Sequence, residues 1–270
     1  MIGLFCIHLF MPLYIGASGM QAQQSAVETI ANNLANMGTT GYKRRRTANQ
    51  DLLYIQRRRV GSLTSVGGDV VPTGMEIGLG VKTVGIYTVN EQGSPTQTSH
   101  PYHLAIQGNG YFQLLMPDGS ISYTRDGTFD LSPNGVIVSR DGLVVQPGIT
   151  IPQNTINITI NTIGQVIAQI DGQIPLQTVG QLSLASFING NGLQSVGDNL
   201  LRESPSSGAP IVGNPGDPGF GTLLQNYIEA SNVNPVTEIT NLITAQRAYE
   251  MNAKIIQTSD KMMDTMNQLR

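Results

Sequence analysis

The sequence predicts an α+β protein: a discontinuous, coiled-coil-like helical domain built from paired N- and C-terminal helices, with a central all-β domain, sandwich or open barrel, between them. Three observations carry this. From Val236 to Arg270 there is no glycine or proline. A second heptad run lies near the other end, from Ser18 to Met37. Between the two, Asp-Gly and Asn-Gly pairs recur seven or eight residues apart, at Asp118-Gly119, Asp126-Gly127, Asn134-Gly135 and Asp141-Gly142.

Asn234 suits an N-cap and Pro235 the first helical position, where a missing N–H costs nothing. Leu242, Tyr249, Ile256 and Met263 then repeat every seven residues, flanked by Ala248, Ile255, Met262 and Leu269. That spacing draws one narrow apolar seam along a helix of roughly 50 Å. The other faces carry amides, hydroxyls and a few charges, so the helix needs a partner. The nearest candidate is the N-terminal run, where Met20, Val27 and Leu34 repeat by seven with Ile30 and Ala31 between them, and Gly38 reads as a C′ stop. The two ends are expected to pair and hold the rest of the chain out from the pair.

The domain reading follows: residues 11–60 and 225–270 as the helical assembly domain, 61–80 as an extended linker or loose hairpin, and 81–224 as the β domain. Residues 1–10 read as an upstream extension with Met11 as the start. The apolar run 1–15 has no basic residue before it, as a secretory signal would, and is too short to span a bilayer. The stretch 51–56 (DLLYIQ) suits a helix start or an extended arm. Residues 60–80 turn Gly-, Ser-, Thr- and Val-rich. In the β region, Ile121 and Tyr123 alternate with Ser122 and Thr124, and Ile156, Ile158 and Ile160 with Asn157, Thr159 and Asn161. Several short strands at this spacing indicate an antiparallel architecture.

Only 12% of the residues are charged, and one cysteine excludes an intrachain disulfide framework. The net charge of −3 is unevenly placed: residues 1–60 hold seven Lys/Arg against two acids. The basic run Lys43–Arg46 with Arg57–Arg59 suggests either a nucleic-acid surface or a patch facing acids or solvent. One short basic segment favours the latter. Chemistry-bearing constellations are sparse. His100 and His103 lack a third metal ligand nearby, and Gly108-Asn109-Gly110 leads into a strand where a phosphate cradle needs a helix. No catalytic residues, cofactor or metal are expected.

Three segments are more specific. LYIGASGMQAQQSAVETIANNLANMGTTGYKRRR (13–46) resembles the N-terminal signature of the bacterial flagellar rod and hook proteins. SNVNPVTEITNLITAQRAYEMNAKIIQTSDKM (231–262) resembles their C-terminal segment, and Leu104–Phe129 (LAIQGNGYFQLL…YTRDGTF) the start of their β domain. With DLLY at 51–54, ITIP at 149–152 and SSGAP at 206–210, the likeness is strongest to the members that build the distal part of the rod. Residues 1–10 and the triple Arg57–Arg59 match nothing in it.

The resemblance implies a non-enzymatic structural subunit of the basal body, exported through the flagellum-specific type III apparatus without a cleaved signal peptide. It would polymerise with itself into a hollow helical shaft spanning periplasm to outer membrane. Its partners would be other rod and hook subunits and the surrounding peptidoglycan and outer-membrane ring proteins, with no nucleic acid. A hook or proximal rod subunit, a basic nucleic-acid-binding protein and a Sec-exported surface β protein are the alternatives. The expected assembly interface is Met20, Val27, Ile30, Asn32, Asn33, Leu34 and Asn36 on the first helix, with Leu242, Tyr249, Ile256 and Met263 on the second. The three asparagines are poor for helix propensity, so inter-subunit hydrogen bonds are expected of them, a solvated polar face being the other reading.

Overall fold

Two helices of 34 residues bracket the chain: α1 (Ile2–Ala35) and α2 (Pro235–Gln268). The computed structural model describes residues 2–58, 74–170 and 177–268, with side chains for 11–56, 74–170, 177–265 and 268. Most of the 61–80 segment, Leu269 and Arg59 therefore lie outside the described residues, as do the side chains of Arg57 and Arg58. The chain divides into two compact units. One comprises residues 1–34, 45–87 and 235–270, the other 35–44 and 88–234.

In the first unit, α1 begins well before the expected Ser18 and runs through Pro12. It ends at Ala35, and Gly38 does not take the left-handed cap expected of it; the left-handed glycine that follows is Gly41, in the second unit, at φ 70°. The stretch 51–56 is extended, as the second of its two readings allowed. The strand Tyr54–Arg58 pairs antiparallel with Met75–Gly78, and Arg45–Asp51 pairs with Val81–Thr88. These are two-stranded ribbons, which are marginal alone in water. The second of them is tied to α1 at Ser18, whose Oγ accepts the Val81 N–H at 3.3 Å.

The second unit is built mainly of β-strands, with one short 3-10 turn at Gly190–Gly192, and its strand pairs among the described residues are antiparallel. Its main sheet centres on Tyr111–Leu115, hydrogen-bonded to Ile121–Thr124, Val144–Val145 and Leu184–Ser186. A three-stranded sheet, Thr155–Ile160, Gln165–Ile170 and Gln177–Gln181, contributes to the same core. Leu104, Ile106, Phe112, Leu114, Phe129, Ile137, Leu184 and Leu223 are fully buried in that core. Phe112 and Phe129 meet edge-on with ring centroids 4.9 Å apart, the arrangement that the ring quadrupoles prefer. Each such side chain contributes about 1.5–3 kcal/mol by leaving water.

The turn glycines fall where the Asp-Gly and Asn-Gly pairs place them, with Gly119, Gly135 and Gly142 at φ 82°, 77° and 80°. Gly127 has a different reason to be glycine. A Cβ there would lie 1.6 Å from the Leu104 carbonyl oxygen, so the chain can pass only without one. The Ile156/Ile158/Ile160 alternation is broken at its first member. A bulge between Thr155 and Asn157 turns Ile156 outward, 66% exposed, while Ile158 and Ile160 stay buried.

Candidate functional site

In the first unit the two helices pack against each other, and three contacts define how. A Cβ on Gly16 would come 2.9 Å from Ile256 Cγ1, and one on Gly19 would come 2.7 Å from Asn252 Nδ2. Further along, Asn33 Nδ2 donates to Glu238 Oε2 at 3.1 Å. As numbers rise on α1 they fall on α2, so the pair is antiparallel. Extending the register along α1 runs through Gly16, Gly19, Ala22, Ala26, Thr29 and Asn33, at the three-and-four spacing of a helix seam.

The helix contact therefore differs from the expected seam by about one residue in each turn. Met20, Val27, Ile30 and Leu34 are half-buried beside it, while small residues occupy the contact itself. The reason is steric: glycine and alanine let α1 lie close to α2, where Ile256 and Asn252 come against Gly16 and Gly19, and where the buried positions are Glu238, Ala245 and Ser259, with Leu242, Ile256 and Met263 half-buried. Tyr249, in the same heptad register, is 42% exposed. Of the three asparagines, Asn32 is exposed, and Asn36 accepts the Thr39 hydroxyl at 3.1 Å. Asn33 departs from expectation. It is buried, its Oδ1 accepts the Arg45 N–H at 2.8 Å, and its Nδ2 donates to the Arg45 carbonyl at 2.9 Å as well as to Glu238. Its amide is thus engaged inside its own chain.

What the helix pair leaves uncovered is apolar. On α2, Val236, Ile239, Ile243, Met251, Ile255 and Met262 are exposed, as are Tyr14 and Ile15 on α1. The ribbons add Leu53, Tyr54, Val84 and Ile86. Large apolar side chains left exposed in such number mark interaction sites.

The second unit holds a buried ionic node that the sequence reading missed. Glu229, 1% exposed, receives Arg125 Nε on Oε2 at 2.5 Å, and on Oε1 the Gly93 N–H at 2.9 Å and Lys43 Nζ. Arg125 also donates to the carbonyls of Gly110 (2.6 Å), Gly108 (2.6 Å) and Ile106 (3.1 Å). Burial by itself would raise the Glu229 carboxyl, but the Arg125 charge and the bonds from Lys43 and Arg125 outweigh it and hold it low. Burial likewise pushes the Lys43 ammonium below the usual lysine range, against the bond and charge of Glu229. Arg44 pairs with Glu91 at 2.9 Å. Half of the Lys43–Arg46 run thus pairs with the chain's own carboxylates. The signal available was a lone acid in an apolar context, Tyr-Ile-Glu-Ala, in a chain with few charges. Its partners lie too far away in sequence to be paired without coordinates.

The remaining candidates are structural. His100 Nε2 lies 3.3 Å from Asp130 Oδ1 and its ring is 4.6 Å from that of His103. No group of three potential metal ligands occurs among the described residues. Gly108 and Gly110, at φ 107° and 136°, make a turn between strands. No helix among the described residues is long and apolar enough to cross a membrane.

Comparison with known proteins matches three segments of the chain. Residues 13–43 match the family model "Flagella basal body rod protein" and 224–269 match "Flagellar basal body rod FlgEFG protein C-terminal". Residues 105–168 match "Flagellar hook protein FlgE/F/G D1 domain". Helical ends that pair across an intervening β unit, together with these matches, define a structural subunit of the flagellar rod and hook class, with no enzymatic role. Over 258 residues the chain is 55% identical to the flagellar basal-body rod protein FlgG of Caulobacter vibrioides, covering 96% of this chain and 98% of that one. It is 48% identical over 250 residues to FlgG of Agrobacterium fabrum, covering 93% and 95%. Against FlgF of the same Caulobacter the identity falls to 32% over 247 residues, covering 90% and 91%. The chain belongs to the FlgG family of flagellar basal-body rod proteins, the subunits of the distal rod. Membership implies assembly with other rod and hook subunits.

Proposed function

We propose that this chain polymerises with itself, through its helix pair, into a hollow helical drive shaft that carries motor torque to the hook. The observation that carries the reading is the uncovered apolar face of α2 at Val236, Ile239, Ile243, Met251, Ile255 and Met262. Head-to-tail contacts that do not close generate filaments, and such a face on every copy supplies them. Each Ile or Met that becomes buried contributes about 1.5–3 kcal/mol, so a few per contact, repeated laterally, give a stiff tube. The contact set comprises these residues with Met20, Val27, Ile30, Asn32 and Leu34 on α1, Asn36 just after it, and Leu242, Tyr249, Ile256 and Met263 on α2. Asn33 is left out because its bonds are internal.

The shaft would run from periplasm to outer membrane, inside the peptidoglycan and outer-membrane ring proteins. Its subunits would arrive through the flagellar type III export channel without a cleaved signal peptide. A helix pair joined by a seam of small residues, marginally stable by itself, suits a subunit that becomes fully ordered on assembly. The test is the double substitution Ile239→Glu with Ile243→Glu in the full chain. The purified variant should match the parent's circular dichroism as a monomer yet fail to form sedimentable polymer and fail to restore swimming. Normal polymer and motility would refute the assignment of this face.

A further inference from the structure

We infer that the second unit carries a small anion-binding cleft beside the ionic node, built to take a carboxylate on a hydroxylated ligand. A cleft of about 250 Å³ opens there, lined by Lys43, Asn109, Tyr111, Arg125, Ser186 and Phe187. That is room for a single sugar-sized ring. Its charge is not balanced. Lys43 and Arg125 share the single carboxylate of Glu229, leaving one positive charge over.

The hydrogen-bond count says where that charge is available. Lys43 has three N–H donors, of which one goes to Glu229 and one to the Glu91 carbonyl at 2.8 Å. Arg125 has five, of which four are placed: on Glu229, Gly110, Gly108 and Ile106. One donor on each cation is left, and both residues line the same cleft. Charge-assisted donors at a low-dielectric wall favour an anion, and a carboxylate, with two oxygens, matches two separate donors. Around these donors stand the Asn109 amide, the Ser186 hydroxyl and the rings of Tyr111 and Phe187, which meet at 6.0 Å. Amides, hydroxyls and ring edges suit a hydroxylated ring more than an aliphatic acid.

The cleft lies wholly within the second unit, so the proposal stands or falls independently of polymerisation through the helices. It is tested by titrating the purified full chain with D-galacturonate and, in parallel, with D-galactose, which has the same ring but no carboxylate. Calorimetry or amide chemical shifts of residues 108–111 should show saturable millimolar binding of galacturonate. Galactose should bind at least tenfold more weakly, and raising the salt should weaken galacturonate. Asn109 is exposed and makes no part of the node, so Asn109→Asp places a repelling carboxylate at the mouth and leaves the fold intact. It should reduce galacturonate binding at least tenfold with unchanged thermal unfolding. Absence of binding, equal binding of the two sugars, or binding that survives Asn109→Asp would each overturn the proposal.

Discussion

Replacing Glu229 by glutamine keeps the side-chain shape and removes one negative charge from a place water does not reach. In the native protein that carboxylate compensates two cations, Arg125 at 9% exposure and Lys43 at 14%. Glutamine can accept from one of them, but its NH₂ then faces the other, donor against donor. Arg125 keeps its three carbonyls and cannot leave, so the charge stays buried without its counter-ion. Removing one partner from a buried ion pair costs about 3–5 kcal/mol, a large share of the ~5–15 kcal/mol by which a domain is stable. The control is Glu91→Gln. Glu91 also pairs with an arginine, but its side chain is 69% exposed, so that change should cost no more than about 1 kcal/mol.

The assay is guanidinium unfolding of the β unit followed by circular dichroism. The Glu229 variant should show a midpoint lowered by roughly 1 M, the Glu91 variant almost none. The pH dependence gives a second reading. Glu229 is held below the ordinary carboxylate range when folded, so its contribution is present above that range and lost as pH falls through the lower, folded value. Parent and Glu229→Gln should therefore converge in stability only in strong acid. A midpoint shift equal to that of Glu91→Gln, or a stability gap unchanged down to low pH, would refute the assignment of Glu229 as the anchor of this unit.

Gly127→Ala should cost about 3 kcal/mol or more, because its Cβ would meet the Leu104 carbonyl. Gly119→Ala, with open space around it but φ at 82°, should cost only about 1–2 kcal/mol; thermal unfolding of the two variants compares them. Asn33→Ala leaves the Arg45 backbone and Glu238 short of partners and should destabilise the helix pair by about 1–3 kcal/mol, seen as faster amide exchange in α2 with the β strands unaffected. In the purified monomer, amides of residues 250–268 should exchange faster than those of Tyr111–Leu115. Strong protection of both helices in a verified monomer would count against ordering on assembly.

Much of this architecture is written in local pattern. Asn234-Pro235 and a long run free of breakers specify a helix whatever surrounds it. Gly119, Gly135 and Gly142 mark turns because an Asp-Gly or Asn-Gly pair supplies left-handed backbone cheaply. The heptads on both ends show that each helix needs a partner, and the quoted segments carry the family. Period alone, however, leaves the contact face uncertain by one residue. Met20, Val27 and Leu34 are the larger apolar residues and draw attention. The contact instead follows Gly16, Gly19 and Ala22, because closeness between helices rewards absence of side chain, which a hydrophobic pattern does not register.

The sequence by itself determined the element types, the pairing of the ends and the class of protein, since these rest on interactions within a few turns or on repeats visible in one strand of text. Only the tertiary structure decided that Asn33 faces inward, that Ile156 is turned out by a bulge, and that Lys43, Arg125 and Glu229 meet. Those outcomes depend on groups separated by tens to hundreds of residues. Whether a charge is solvated or buried beside its opposite is a property of the space it occupies, and no run of neighbours along the chain encodes that space.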